Sequence, residues 1–485
     1  MREPSPDPAA PGSEAEDAAG VGSLAVVLHS HMPYVEGFGT YPFGEEWLFD
    51  AVARSYLPLL EIAHDLTFTL TPVLADQLEA PGVEERLAAF VRRHRLEAAE
   101  REAEVAEPAA RQAARAEAER YRRGLGLLAS LGGDMIGGFR TAARERNLAL
   151  LPSTATHAVL PLVATGAGRR FQVDAGLRSH RRRFGPSAGF WLPECAYVPG
   201  LERLLAAHGV RYFCVDQSGQ EPELAALAPV ATEAGPVAFT IDWPTVARVW
   251  SLSGYPSDPS YAEFHRKSLL GIRIWSIGGG PYEPERAAAR AREQAAEFVR
   301  AVAERLRRFR SERRRQGLVV FAIDTELLGH WWSEGPLWLE QVLALAPAQG
   351  IRLVHLDRAL AEHEPEPRTL RTASWGEGKD LSTWDSRPVA DLAWAARRLE
   401  LRLLRALDAN GISEPAAERA ARELLAVQAS DWAFLDQRGQ AGDYAFERAV
   451  DHSRALLEAI DSGASPDPRM RNLAPDMSLA PLREP

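Results

Sequence analysis

Short apolar runs alternate with longer amphipathic stretches along the chain. Runs of strand length, rich in β-branched and aromatic residues, fall at 23–28, 67–74, 147–151, 188–192, 210–215, 237–241, 271–277, 318–323 and 351–354. Between several of them apolar residues recur at helical spacing, as in 47–63, 199–208 and 284–310. This alternation predicts an α/β fold whose parallel sheet closes into a barrel over 23–365.

Two regions depart from it. Between Val83 and Leu131 the sequence turns to Ala, Arg and Glu with few breakers, which predicts a helical insertion with solvated charged faces. Beyond Glu366 the strand pattern stops, and 389–407, 415–429 and 443–460 carry helical periodicity. An all-helical C-terminal domain is expected over 366–464. The Pro-, Ala- and acid-rich residues 1–22 predict a disordered tail, and 465–485 a Pro-rich tail.

Composition excludes several classes of function. Asp and Glu outnumber Lys and Arg by 67 to 56, a formal charge of −11, which lacks the basic footprint of a nucleic-acid binder and favours a neutral, polyhydroxylated substrate. No uninterrupted run of about 18 apolar residues occurs, so no membrane span is expected. The N-terminus lacks the basic start and apolar run of a secretory signal, and Cys195 and Cys214 are too few for a disulfide framework. A cytoplasmic location is expected.

Chemistry in such a barrel gathers at the C-terminal ends of the strands. There the sequence places His29 and His31, which at i and i+2 spacing point to one face of the first strand. They suit sugar hydroxyls or a metal ion. A second cluster, Gly189 to Tyr197, sets Glu194 just past an aromatic strand end and a proline. The third, Val319 to Trp332, runs an apolar strand into Asp324, Glu326, His330, Trp331 and Trp332. Carboxylates beside indole faces suit carbohydrate, because the rings stack on sugars while the acids take hydroxyls. Trp375, Trp384, Asp431 and Trp432 add a similar pattern in the helical region, where packing between domains is an equal explanation for the indoles.

In this order the motifs resemble glycoside hydrolase family 57, and within it the α-1,4-glucan branching enzymes. The resemblance is carried by Leu28-His29-Ser30-His31-Met32-Pro33-Tyr34, Ala155-Thr156-His157, Trp191-Leu192-Pro193-Glu194-Cys195-Ala196-Tyr197, Asp324 to Trp332, Ser374-Trp375-Gly376 and Ser430-Asp431-Trp432. The segments Val249-Trp250-Ser251, Gly254-Tyr255-Pro256 and Tyr261 to Phe264 are similar to a branching-enzyme stretch. The resemblance implies a distorted (β/α)7 barrel with a helical insertion and a C-terminal helical domain. It also implies a retaining mechanism with Glu194 as nucleophile and Asp324 as acid/base, acting on α-1,4-glucan without cofactor or metal. Substrate contacts are expected from His29, His31, Trp47, His157, Trp191, Trp250, His330, Trp331, Trp375, Trp384, Asp431 and Trp432.

The chain also departs from the family pattern. Ala231 stands where branching enzymes carry a loop tyrosine, Ala149 where a glutamate is usual, no arginine occurs near Ile241, and the stretch from Phe264 to Gly271 is shortened. These departures bear on the acceptor, so hydrolysis or 4-α-glucan transfer is the alternative to branching. Two further readings are a metal-dependent hydrolase, from the His-x-His pair, and a glucan-binding protein without turnover.

Overall fold

A computed structural model describes residues 20–220, 222–409, 411–463, 470 and 472–484. Seven strands surround the core: β1 (Gly22–Ser30), β2 (Thr67–Leu70), β3 (Ala149–Leu151), β4 (Gly189–Phe190), β5 (Tyr212–Val215), β6 (Val237–Thr240) and β7 (Gly317–Asp324). They pair in two parallel arcs, β3-β2-β1-β7 and β4-β5-β6. Single backbone hydrogen bonds join the arcs, from Trp191 N to the Pro152 carbonyl at 2.8 Å and from Asp242 N to the Val320 carbonyl at 2.9 Å. The cyclic order is therefore a seven-stranded barrel. Its distortion follows from unequal lengths, since β1 and β7 are long and fully laddered while β4 has two residues.

β1 and β7 are apolar and buried along almost their whole length, as expected for parallel strands covered on both faces. An eighth strand, β8 (Ile351–Leu353), pairs with the start of β1. The expected strand at 271–277 does not join the ring. Ile272 and Ile274 are buried, yet the segment makes only isolated bridges, because β7 follows β6 directly around the barrel. The expected strand 67–74 ends at Leu70, and Pro72, which needs no amide partner at a helix start, opens the helix Pro72–Leu78.

The insertion consists of helices Val83–Phe90, Val91–Leu96, Glu97–Val105 and α1 (Pro108–Ser130), the second of them a π-helical turn. It lies on the helical stretch Glu45–Ile62, which itself contains a π-helical turn at Val52–Tyr56. There α1 comes close enough that a Cβ on Gly124 would stand 2.5 Å from the Ala53 carbonyl oxygen. About two turns earlier on the same helix, the buried Glu117 pairs with the buried Arg54. Barrel helices α2 (Gly166–Phe184) and α3 (Pro284–Arg313) cover other faces.

The C-terminal helices are α4 (Ala390–Asp408), α5 (Glu414–Val427), α6 (Ser430–Gln437) and α7 (Tyr444–Ser462). Their core of Leu403, Ala420, Leu424 and Leu456 continues into Phe171 of α2, so the helical region is packed onto the barrel. Most of the expected N-terminal tail lies outside the described residues, but Gly22 already belongs to β1. Of the Pro-rich tail, 465–469, 471 and 485 lie outside them. The rest packs, with Leu473, Leu479 and Leu482 buried and Ala474 N bonded to Asp76 Oδ2 at 2.8 Å. Among the described residues no helix is long and apolar enough to cross a membrane.

Breaking the Arg54–Glu117 pair strands a charge that is 1% exposed. Glu117→Leu is therefore expected to cost about 3–5 kcal/mol in urea unfolding, against little change for a surface substitution such as Glu119→Leu.

Candidate active site

The period of two in β1 places His29 and His31 on one face at the barrel mouth, where the left-handed residue His157 (φ +59°) brings in a third imidazole. The rings are nearly parallel, with centroids 4.9 Å apart for His29 and His157 and 4.0 Å for His31 and His157. Trp191 stacks on the far side of His29 at 4.7 Å. The neighbouring strand supplies threonines in the same register: His29 Nδ1 meets Thr69 Oγ1 at 2.5 Å and His31 Nδ1 meets Thr71 Oγ1 at 3.0 Å.

Their charge states differ. Burial, with His31 close by, holds His29 and His157 well below the usual imidazole range, so both are neutral at pH 7. Burial opposes charge on His31 too. Asp431, bonded to His31 Nε2 at 2.9 Å, overcomes it together with Glu194 and Asp324, so His31 is raised and carries the positive charge. The imidazole nitrogens are thus taken up by protein partners. Among the described residues no group of three or more His, Cys, Asp or Glu is arranged to hold a metal ion.

Glu194 follows β4 in a turn with two successive left-handed residues, Glu194 at φ +57° and Cys195 at +49°. Each costs on the order of 1 kcal/mol for a non-glycine residue, a strain characteristic of functional sites. Backbone hydrogen bonds hold the turn, from Cys195 N to Leu192 O at 2.9 Å and from Trp375 N to Glu194 O at 2.6 Å. The carboxylate accepts from Ser430 Oγ at 2.9 Å and lies 3.5 Å from His157 Nδ1.

Ser430 Oγ is also 2.9 Å from His157 Nδ1, and His157 Nε2 is 3.1 Å from His29 Nε2. With both imidazoles neutral, donor counting gives a directional chain. When Glu194 is ionised, Thr69 donates to His29, His29 to His157, His157 to Ser430, and Ser430 to Glu194. When Glu194 holds a proton on the oxygen that faces Ser430, every bond reverses. The chain therefore couples the state of Glu194 to the foot of the histidine stack.

Asp324 ends β7 directly opposite His29 in the ladder. Burial pushes it up to about 6, with His31 opposing. Burial pushes Glu194 up to about 8, against the Ser430 hydrogen bond and with the help of Asp324 and Asp431. Glu326 is likewise raised by burial to about 8, reinforced by Asp324. At neutral pH Glu194 and Glu326 thus retain protons while Asp324 is mostly ionised, so the site holds protonated and ionised carboxyls side by side.

Glu326 and the loop after Asp324 are held from below by the π-helical turn. Tyr56 OH donates to Glu326, His330 N to Ser55 Oγ at 3.0 Å, and Arg54 Nε to the Gly329 carbonyl at 3.0 Å. Gly329, at φ +108°, has no room for a side chain, since a Cβ would stand 2.0 Å from the Arg54 carbonyl oxygen. Glu326 Oε1 also accepts from His31 N at 3.1 Å, tying β1 to β7.

The sequence profile described as Glycosyl hydrolase family 57 matches residues 25–370, and that of the 1,4-alpha-glucan branching enzyme C-terminal region matches 391–475. The chain belongs to glycosyl hydrolase family 57. It is 33% identical to a 1,4-alpha-glucan branching enzyme of Thermococcus kodakarensis, covering 89% of this chain and 72% of that protein. A GH57-type branching enzyme of Pyrococcus horikoshii superposes with a TM-score of 0.89 at 31% identity, covering 96% of this chain and 97% of that one. The alpha-amylase AmyC of Thermotoga maritima follows at 0.78 and 26%, with 95% of each chain covered.

In this family 57 chain the structure brings together His29, His31, His157, Trp191, Glu194, Asp324, Trp375 and Asp431. Trp191 is fully buried and supports His29, so it has no face to offer a sugar. Trp432 is another correction: it is buried and its Nε1 donates to the Ala426 carbonyl at 2.7 Å, which makes it a packing residue. Trp384 is 3% exposed against Val159 and Ala196, and packs in the same way. His330 stands apart from the stack, half-buried against Phe264 and Trp331, and desolvation with Arg273 nearby holds it down at about 3. Trp331 lies half-exposed on Phe264, Trp47 packs with Phe43 and Tyr444, and Trp250 is half-exposed at the end of its helix. Ser430, Glu326, Tyr56, Thr69 and Thr71 were not among the expected contacts. The alternation of Thr69 and Thr71 beside that of His29 and His31 was the available signal for the threonines.

Ser430→Ala removes the last donor to ionised Glu194. The expected loss in kcat/KM on amylose is about 10- to 100-fold, and the acidic limb of the pH profile should move to higher pH because Glu194 becomes harder to ionise. An unmoved limb would count against the chain of bonds.

Proposed function

We propose that the protein is a retaining α-1,4-glucan branching enzyme in which Glu194 is the nucleophile and Asp324 the acid/base. The observation that carries the reading is the pairing of a strained, half-buried Glu194, bonded to Ser430, with a half-buried Asp324 at the end of β7. Asp324 protonates the departing glycosidic oxygen while Glu194 attacks the anomeric carbon, giving a glycosyl ester with inverted configuration. Asp324 then takes the proton of an incoming 6-hydroxyl, whose oxygen displaces Glu194 and restores the original configuration. In the empty site the proton favours Glu194. A bound glucan offers its glycosidic oxygen as an acceptor for protonated Asp324, while Ser430 and charged His31 stabilise ionised Glu194.

The similarity to 1,4-alpha-glucan branching enzymes supports branching. A second reading, hydrolysis or 4-α-glucan transfer, is favoured by the absence of any aromatic residue between Val215 and Val237 and by the likeness to an α-amylase. Ala231 itself lies in the short strand Val230–Ala231, paired antiparallel with β6 and away from a mouth loop. The two cysteines are free thiols, which fits the reducing cytoplasm. Incubation with amylose, followed by debranching and chain-length analysis, separates the readings: new α-1,6 points are expected, and reducing ends without branches would favour hydrolysis.

Glu194→Gln should lower turnover by about 10³-fold or more while glucan still binds. The same substitution should alter stability with a defined sign. Glu194 is raised from 4.5 to about 8 in the folded protein, so its ionisation destabilises the fold progressively as pH rises between those values. The glutamine variant should melt higher than the parent at pH 8, and the difference should shrink toward pH 5.

A further inference from the structure

The segment 371–384 forms a strap across the mouth beside Glu194. Its inner edge is bound to the nucleophile loop, through paired backbone hydrogen bonds between Tyr197 and Ala373 at 2.9 and 3.1 Å and through Trp375 N to the Glu194 carbonyl. The Trp375 indole meets Trp191 edge-on at 5.0 Å and His29 at 6.1 Å. It therefore forms part of the wall over the reacting carbon.

The outer edge is gripped by the loop that follows β5. Gln217 exchanges two hydrogen bonds with the Arg371 backbone, both 2.9 Å, and Gln220 donates to the Thr372 carbonyl at 3.0 Å. Lys379 reaches down to Asp216, Nζ to Oδ2 2.8 Å, with its ammonium 3.7 Å from the centre of the Trp243 ring. Asp216 is fully buried, and its other oxygen accepts from Ser218 N at 2.9 Å. The chain holds only two lysines, Lys267 and Lys379, among its 56 basic residues. A compact ammonium fits between a carboxylate and an indole face, where a planar guanidinium would need more room. Lys379 is itself in the left-handed region at φ +54°, so the strap bends sharply where it is pinned.

We propose that Asp216 and Lys379 are specificity-determining residues that clamp this strap, with Trp375, over the glycosyl-enzyme, so that a sugar hydroxyl rather than water receives the glucan chain. The inference rests on the proposed retaining function. In the step concerned, the ester bond between Glu194 and the anomeric carbon breaks, that carbon bonds to the oxygen of the acceptor hydroxyl or of water, and the oxygen's proton passes to Asp324. The clamp touches none of these atoms. It governs whether water reaches the ester before a glucan acceptor, which binds its own subsites, is in place. The loop after β5, which carries no aromatic residue, serves here as the anchor and leaves the cover to Trp375.

The test compares the full-length protein with Lys379→Met on amylose, scoring new reducing ends against transfer products, both α-1,6 branch points and α-1,4 disproportionation. The expected result is a rise of roughly fivefold in the ratio of hydrolysis to transfer, with total bond cleavage close to that of the parent. A double substitution, Asp216→Asn with Lys379→Met, avoids a buried unpaired carboxylate and should give the same raised ratio even if the single variant folds poorly. An unchanged ratio in either folded variant, or equal losses of hydrolysis and transfer, would overturn the clamp. A parent protein that cleaves no glucan would instead overturn the function on which it rests.

Discussion

Two hydrogen bonds made by the first residues of helix α6 tie the C-terminal helices to the ionisable groups of the barrel mouth. Ser430 donates to Glu194, and Asp431 accepts from His31. Three imidazoles and four carboxyls, those of Glu194, Asp324, Glu326 and Asp431, share this space, and burying so many ionisable groups without partners would be prohibitive. The arrangement is tolerable because one imidazolium faces one carboxylate across the domain boundary, while the two neutral imidazoles pass a single sense of hydrogen bonding to Glu194. The barrel supplies Glu194 and Asp324, the acids of the proposed reaction. The C-terminal helices, whose core runs on into Phe171 of α2, contribute the Ser430 hydroxyl that favours the ionised form of one of them, Glu194.

The opposite side of the mouth is fixed by similar means. The π-helical turn Val52–Tyr56 presents three consecutive side chains to the loop after Asp324, and the insertion secures that turn through Glu117. π-helical turns recur at functional sites because the extra residue re-aims its neighbours. Here it aims Arg54, Ser55 and Tyr56 at one target. The strained residues His157, Glu194 and Cys195 complete the pattern, each held in a left-handed conformation by contacts made elsewhere in the fold.

Much of this was legible in the sequence, for identifiable reasons. Apolar runs ending in polar residues located β1 and β7, and periodicity located the helices, because burial imposes those patterns directly. His29, His31, Glu194 and Asp324 stood out since each sits where such a run stops. The run 271–277 misled because buried Ile272 and Ile274 alternate like a strand while the ring has no place for one. Trp432 and Trp384 misled because an indole beside an acid has the same local signature whether it faces sugar or core. The roles of Ser430, Tyr56 and Glu326 depend on contacts across 236 and 270 residues of chain, which no local pattern carries.

The account turns on Glu194 as the residue that bears the glycosyl ester. The most direct measurement is to trap that ester with a slowly hydrolysed fluorinated α-glucosyl donor and locate it by peptide mass spectrometry. The account predicts one added glycosyl mass on the peptide containing Glu194. Label on the peptide containing Asp324, or product of inverted configuration with no label, would contradict it.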